Sequence, residues 1–271
     1  MSNKKTFSPK KSAFSLIELS IVLIIIGLLI AGITGGASLI SNSTLRAVMG
    51  EARGYAVAVN SFYAQYNALP GDYKGSALPT NNIISNGSNT WTVGNGNNTI
   101  EYSNGEGIGA MYHLVGTKIV DPTSLFPNSN NVGQMTLANG TNVSAAFTVG
   151  THFPASKSKG AGWIFDNVPT AAYAGSVTEN VVVLVSSVAS GTNLTANATT
   201  NVATAAPSLV PADALSIDTK VDDGIPTTGR VTGTAVAGCF TGTITSSTGT
   251  AYATGTPTKA CVLAYQVDPT I

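Results

Sequence analysis

AFSLIELSIVLIIIGLLIAGITGGASLI, residues 13–40, is a nearly continuous apolar run with one carboxylate, Glu18, near its entrance. From Leu19 to Ile33 it holds no charge and a single hydroxyl, Ser20. A helix of about 20 apolar residues crosses a hydrocarbon core of roughly 30 Å, and this run is long enough. The leader before it carries Lys4, Lys5, Lys10 and Lys11 and no acid. Cationic residues stay on the cytoplasmic side, so the N-terminus is expected inside and the remainder exported.

Three readings of the run compete. One is a secretory signal cut after Gly35, Gly36 and Ala37, where small residues sit at suitable spacing. Another is a plain membrane anchor. The third is a signal cut before the apolar run. Glu18 separates them, because a carboxylate on an apolar helix costs about 2–3 kcal/mol or more as it moves deeper into the bilayer. A simple signal or anchor gains nothing from that cost. In a bundle of helices Glu18 gains a partner if the chain is cut between Ala13 and Phe14. The cut creates an amine on Phe14 and makes Glu18 the fifth residue of the mature chain.

The segment K-x-x-A-F-S-L-I-E-L-S-I-V-L-I-I-I-G-L-L, beginning at Lys10, resembles the N-terminus of type IV pilins and type II secretion pseudopilins. The likeness covers residues 10–40, with Ala13 where the family usually has Gly. It implies cleavage by a prepilin peptidase, N-methylation of Phe14 by the same enzyme, and a role for Glu18 in directing subunits into a helical filament. The partners it implies are other pilin or pseudopilin subunits, an inner-membrane platform protein and an assembly ATPase system. The location it implies is the bacterial inner membrane, single-pass with a periplasmic C-terminal domain, and then the filament.

Charge is scarce in the whole chain, at 10%. Four of the 13 basic residues lie in the leader, leaving 9 against 13 acidic, net −4. No run of Lys or Arg survives beyond Lys11, so the sequence offers no nucleic-acid surface. Beyond residue 75, Thr, Ser, Asn, Gly and Ala dominate, a composition suited to β-strands joined by Asn and Gly turns. The two cysteines, Cys239 and Cys261, cannot build a tetrahedral metal site alone. In an oxidising compartment they are expected to form a disulfide, worth about 3 kcal/mol in the chain-entropy model. A C-terminal loop closed in this way also resembles the disulfide-bounded region of many type IV pilins.

The helix is expected to continue past the apolar run. Leu45, Met49, Ala52, Ala56, Val59, Tyr63 and Tyr66 are spaced alternately by four and three, a helical stripe widened by Val48, Tyr55 and Phe62. Arg46, Glu51, Arg53, Asn60 and Gln65 fall on the other faces. Asn67 and the pair Pro70 and Gly71 stop it. One helix over 14–67 would run roughly 80 Å at about 1.5 Å per residue. Gly27, Gly32, Gly35 and Gly36 dilute its first half, either for close packing in lipid or, as the resemblance implies, for local melting on assembly.

Downstream, 72–104 reads as a surface connection with a short hairpin at 90–93 and 99–102. Ser103, Asn104, Gly105 and Glu106 have capping-box spacing, opening a short helix through Ile108, Met111, Tyr112, Val115 and Ile119 that ends before Pro122. His113 on it reads as a satisfied or surface histidine. Strands are expected at 145–149, 162–165, 181–188, 230–237, 240–245 and 262–267, with 189–206 a loop.

One further cluster invites chemistry. In PADALSIDTKVDDGIPTTG, beginning at Pro211, four acids gather: Asp213, Asp218, Asp222 and Asp223. Pro211 opens and Gly224 closes a short helix that sets Asp218 and Asp222 on one face. The plain reading is a solvated helix with Lys220 nearby. The sharper one is calcium, which takes 6–8 oxygen ligands. The spacing is not that of an EF-hand, and the resemblance to calcium-binding major pseudopilins does not align loop for loop. No other cofactor is indicated. Nor is catalysis, since His113 and His152 lie in dissimilar contexts and neither G-x-S-x-G nor H-E-x-x-H occurs.

The expected fold is α+β, a long N-terminal helix packed through 45–66 on an antiparallel sheet. Its parts are a removed leader (1–13), a membrane and assembly helix (14–40), the helix continuation (41–67) and an exported globular domain (68–271). The function expected is a non-enzymatic structural subunit of a type IV pilus or a secretion pseudopilus. The competing reading is a membrane-anchored surface binding module or adhesin that does not polymerise.

Overall fold

The computed structural model describes residues 15–74, 94–101, 106–121, 149, 153–168, 179–188, 205–233, 238–241 and 251–268. The chain divides into two compact units, with the boundary between Ser43 and Thr44.

The first unit is the beginning of helix α1 (Leu16–Tyr66). Its large apolar side chains are exposed, among them Leu16, Leu28, Ile33, Leu39 and Ile40. It is long and apolar enough to cross a membrane. Three of its polar side chains bond the helix itself, as the bilayer requires of groups that cannot reach water. Ser20 donates to the Ile17 carbonyl, Thr34 to those of Ile30 and Ala31, and Asn42 to that of Ser38. The helix continues through Gly27, Gly32, Gly35 and Gly36, each with open space where a Cβ would stand.

In the second unit α1 buries Leu45, Val48, Met49, Ala52, Tyr55, Ala58, Val59 and Phe62. The apolar stripe is therefore real but rotated. Val48, Tyr55 and Phe62, read as its margin, are at its centre, whereas Ala56, Tyr63 and Tyr66 are only partly buried at its edge. The reason is aromatic packing. Tyr55 sits with its ring 5.9 Å from that of Trp163 and 5.8 Å from that of Phe165, and Phe62 stacks on His113 at 5.8 Å. Asn67, with a φ of 50°, turns the chain out of the helix.

The sheet facing this stripe is antiparallel throughout, with β1 (Gly162–Val168), β2 (Glu179–Val185), β8 (Leu263–Gln266) and β5 (Val231–Gly233) in the order β1-β2-β8-β5. Val181 to Val185 are all buried, as a β-branched run in a central strand should be. The register places Phe165 opposite Val182 and Val182 opposite Tyr265. Helix α2 (Glu106–Gly116) contributes Leu114 and Val115 to the core, and α3 (Pro211–Val221) adds Ala214 and Ile217. Two small ribbons complete the unit: β3 (Ser187–Val188) with β4 (Ala205–Ala206), and β6 (Phe240–Thr241) with β7 (Ala251–Tyr252). Cys239 and Cys261 form the disulfide that ties β6 to the start of β8. This is an α+β, pilin-like architecture, as expected.

Several expectations change. Residues 99–101 form no strand, and the turn just before them, 96–98, wraps around Asp72. One Asp72 oxygen accepts the N–H groups of Gly96 and Asn97, and the other accepts that of Asn98 at 2.7 Å. Gly96 and Asn98, with φ of 71° and 63°, turn those amides inward, a conformation both residue types tolerate. His113 is fully buried, and its Nδ1 accepts the Gly71 N–H at 2.8 Å. The 181–188 strand breaks at Ser186, whose N–H leaves the sheet to bond Ala206, and so a strand appears at the end of the expected 189–206 loop. The expected strands at 230–237 and 240–245 are described only as the shorter β5 and β6. Residues 90–93, 103–105 and 145–148 lie outside the described residues, as does His152.

Candidate functional site

Ala13 and Phe14 also lie outside the described residues, so the site at the N-terminus is seen from Ser15 onward. Glu18 stands in the first turn of α1 and is exposed. Its Oε2 accepts the Ser15 N–H at 2.9 Å, and the Ser15 hydroxyl oxygen accepts the Ile17 N–H at 3.4 Å. The Ser15/Glu18 spacing is that of a capping box, in which the third helical residue reaches back to the cap. The motif is plain in S-L-I-E. The bond holds a carboxylate against the partial positive charge of the helix start, where it satisfies an N–H that no helical carbonyl can reach.

The acidic cluster near the C-terminus is partly as expected. Pro211 occupies the first turn of α3, and the oxygens of Asp218, Asp222 and Asp223 lie within 4.8 Å of one another. Asp213 is not among them; burial raises its pKa and the charge of Lys220 partly offsets this. Every oxygen in the trio already accepts a proton donor. Asp218 takes the Gly224 N–H at 3.0 Å and the Tyr252 hydroxyl at 2.7 Å. Asp222 takes the N–H groups of Asp223, Arg230 and Val231, the last at 2.9 Å. Asp223 takes the Ile225 N–H at 2.8 Å and the Thr228 hydroxyl at 2.6 Å.

Asp218 is fully buried. Burial first, then the adjacent Asp222, pushes its carboxyl up to about 8, against the smaller opposing pull of Tyr252 and Gly224. Burial also pushes Asp222 up, but hydrogen bonds from the Asp218 carboxyl and from the backbone of Val231, Asp223 and Arg230 outweigh it and hold Asp222 below the usual range. Calcium needs 6–8 ionised or carbonyl oxygens turned towards a shared centre. Here the oxygens accept N–H and O–H hydrogens of the protein.

Two further acids, Glu51 and Glu106, have partners that the sequence does not disclose. Glu51 accepts the Trp163 indole N–H at 3.0 Å, the Ser156 hydroxyl at 2.6 Å and the Lys157 N–H at 3.0 Å, fastening α1 to β1 and the turn before it. Glu106, fully buried, accepts the N–H groups of Asn95 at 3.0 Å and Glu101 at 2.9 Å. Burial pushes its carboxyl up to about 7 despite those bonds. No periodicity marks either role, because both partners are distant or irregular in sequence.

Residues 8–34 match the family described as the prokaryotic N-terminal methylation motif. The match takes in Ala13, Phe14 and Glu18. No curated protein and no solved structure matches the chain.

Proposed function

We propose, with the prepilin-type methylation signal at residues 8–34 as the premise, that this chain is a filament subunit. It is made as a membrane-inserted precursor, cut between Ala13 and Phe14, methylated on Phe14 and polymerised through α1. A type IV pilus and a secretion pseudopilus both use such a subunit. The observation that carries the reading is the coincidence of that signal with a helix whose first half is entirely uncovered. An apolar helix of this kind needs lipid before assembly and other helices after it.

Cleavage changes what Glu18 faces. In the precursor its carboxylate caps its own helix through Ser15. In the mature chain a free amine stands next to Ser15, at the site to which Glu18 already reaches. In a filament core of low dielectric, an amine on a neighbouring chain is a stronger partner than a backbone N–H, and an unpaired carboxylate is strongly disfavoured. Pairing across subunits then sets their axial register. The machinery implied is the prepilin peptidase with its methyltransferase activity, an inner-membrane platform and an assembly ATPase.

The test is Glu18→Ala, followed separately for insertion and for assembly. Membrane insertion is expected to be unchanged, because the apolar run is intact. Recovery in sheared filaments is expected to fall to background. Wild-type recovery of the variant would remove Glu18 from the assembly role. Absence of the wild-type chain from every filament fraction would favour the anchored surface module.

A further inference from the structure

The turn held by Asp72 carries a pattern that filament assembly leaves unused. Asn97, Asn98 and Thr99 form an N-x-T triplet, the acceptor pattern for transfer of a glycan to an asparagine amide. In a chain rich in Asn and Thr such triplets arise by chance, so geometry has to separate them. Two lie among the described residues, at Asn42 and at Asn97.

Their amides are differently engaged. Asn42 lies within α1, and its Nδ2 donates to the Ser38 carbonyl at 3.0 Å. Residues two apart on a helix do not face each other, so Thr44 is turned away from it. Asn97 is exposed on a turn, and its Oδ1 accepts the Thr99 N–H at 3.0 Å and the Thr99 hydroxyl at 2.6 Å. The N–H bond alone closes an Asx turn. The hydroxyl is a second donor on the same oxygen, and it belongs to the residue that completes the triplet. The Asn97 Nδ2 faces the Glu101 carboxylate, with Oε1 3.3 Å away. Two donors on the amide oxygen favour loss of a proton from the nitrogen, and the carboxylate is a base beside it.

The backbone beneath this side chain is fixed from within. Buried Asp72 accepts the N–H groups of Gly96, Asn97 and Asn98. The Asn98 nitrogen would be the attacking group if the Asn97 side chain deamidated, and its bond to Asp72 at 2.7 Å restrains it. The Asn97 amide is therefore exposed, set beside its Thr and shielded from its own backbone.

We infer that Asn97 is a glycosylation site, the acceptor of a glycan carried on a polyprenyl pyrophosphate and transferred on the exported side of the membrane. The Asn97 Nδ2 forms a bond to the anomeric carbon of the first sugar. The bond from that carbon to the pyrophosphate oxygen breaks, and the pyrophosphate leaves with the electron pair. The proton lost from Nδ2 passes to a carboxylate. The inference rests on the reading of the chain as an exported subunit, because donor and acceptor must meet on that side.

The experiment is peptide mass spectrometry of the wild-type chain isolated from the cells that make it. Chymotrypsin, cutting after Trp91 and Tyr102, releases residues 92–102, which hold the Asn97 triplet and no other. This peptide is expected to carry a glycan mass that falls to background in Asn97→Gln and in Thr99→Ala and is retained in Thr99→Ser. A bare wild-type peptide would overturn the inference, as would the small mass gain of deamidation alone or a glycan that persists in Thr99→Ala. The wild-type peptide decides even where a variant does not fold. The N-terminal peptide of the same digest keeps the two readings apart. Phe14 at the N-terminus with a bare 92–102 leaves the subunit and removes the glycan. An intact Met1 with a glycosylated 92–102 does the reverse, and an intact Met1 with a bare 92–102 removes both.

Discussion

The two stretches of α1 on either side of Ser43 are both apolar helix, yet they solve opposite problems. Before Ser43 the apolar side chains surround the helix, and none is covered. After it they gather on one face, where Phe62 and Val59 are wholly buried. The difference lies in the polar residues. The first stretch offers only small polar residues between Leu19 and Asn42, namely Ser20, Thr34, Ser38, Ser41 and Asn42, and Ser20, Thr34 and Asn42 bond their own helix. The second offers Glu51, which bonds another element. A helix with only small polar side chains, three of them bonded to its own backbone, has little to align it against a protein surface. It is free to exchange one apolar environment for another, as a subunit passing from membrane to filament must.

That contrast is breakable by substitution. Phe62→Ala should lower the unfolding free energy of the second unit by about 3–5 kcal/mol, the usual loss for a buried Phe. Ile25→Ala, on the uncovered stretch, should leave it unchanged. Chemical denaturation of both variants in micelles measures this, and equal effects would erase the distinction. Glu51→Ala should cost about 1–3 kcal/mol, because it strands the Trp163 indole N–H and two neighbouring donors. Trp163 fluorescence during the same unfolding reports it, and a neutral result would mean that water replaces the carboxylate. The smallest effect belongs to Glu106. Its carboxyl is raised to about 7, so its contribution is complete in acid and is lost as pH rises through 7. Glu106→Gln should shallow the decline in melting temperature near neutral pH, and an unchanged slope would assign that decline elsewhere.

Much of this was legible in the chain. The helix period, the β-branched run at β2, the opening of α3 at Pro211 and the Cys239–Cys261 bridge all follow from local pattern or from simple counting. The rest depended on contacts between distant residues. A period shows that a stripe exists but not which residue leads it; two aromatic rings on β1 decided that for Tyr55. Two-residue strands such as β4 and β7 have no period to read. Asp72 and Glu106 act as anchors for irregular loops, and for Asp72 the role is set by backbone conformation at Gly96 and Asn98. The acidic cluster was found, but its charge state was not. Composition counts carboxylates, whereas burial and hydrogen bonds decide which one keeps a proton. At the N-terminus the capping box was visible in S-L-I-E, and it deepens the reading of Glu18 as a residue that acts on helix ends.

The most direct test is mass spectrometry of the chain recovered from sheared filaments. A mature N-terminus at Phe14 carrying a single methyl group is the predicted result. An intact Met1, a start at Ser38, or absence from the filaments would contradict the account.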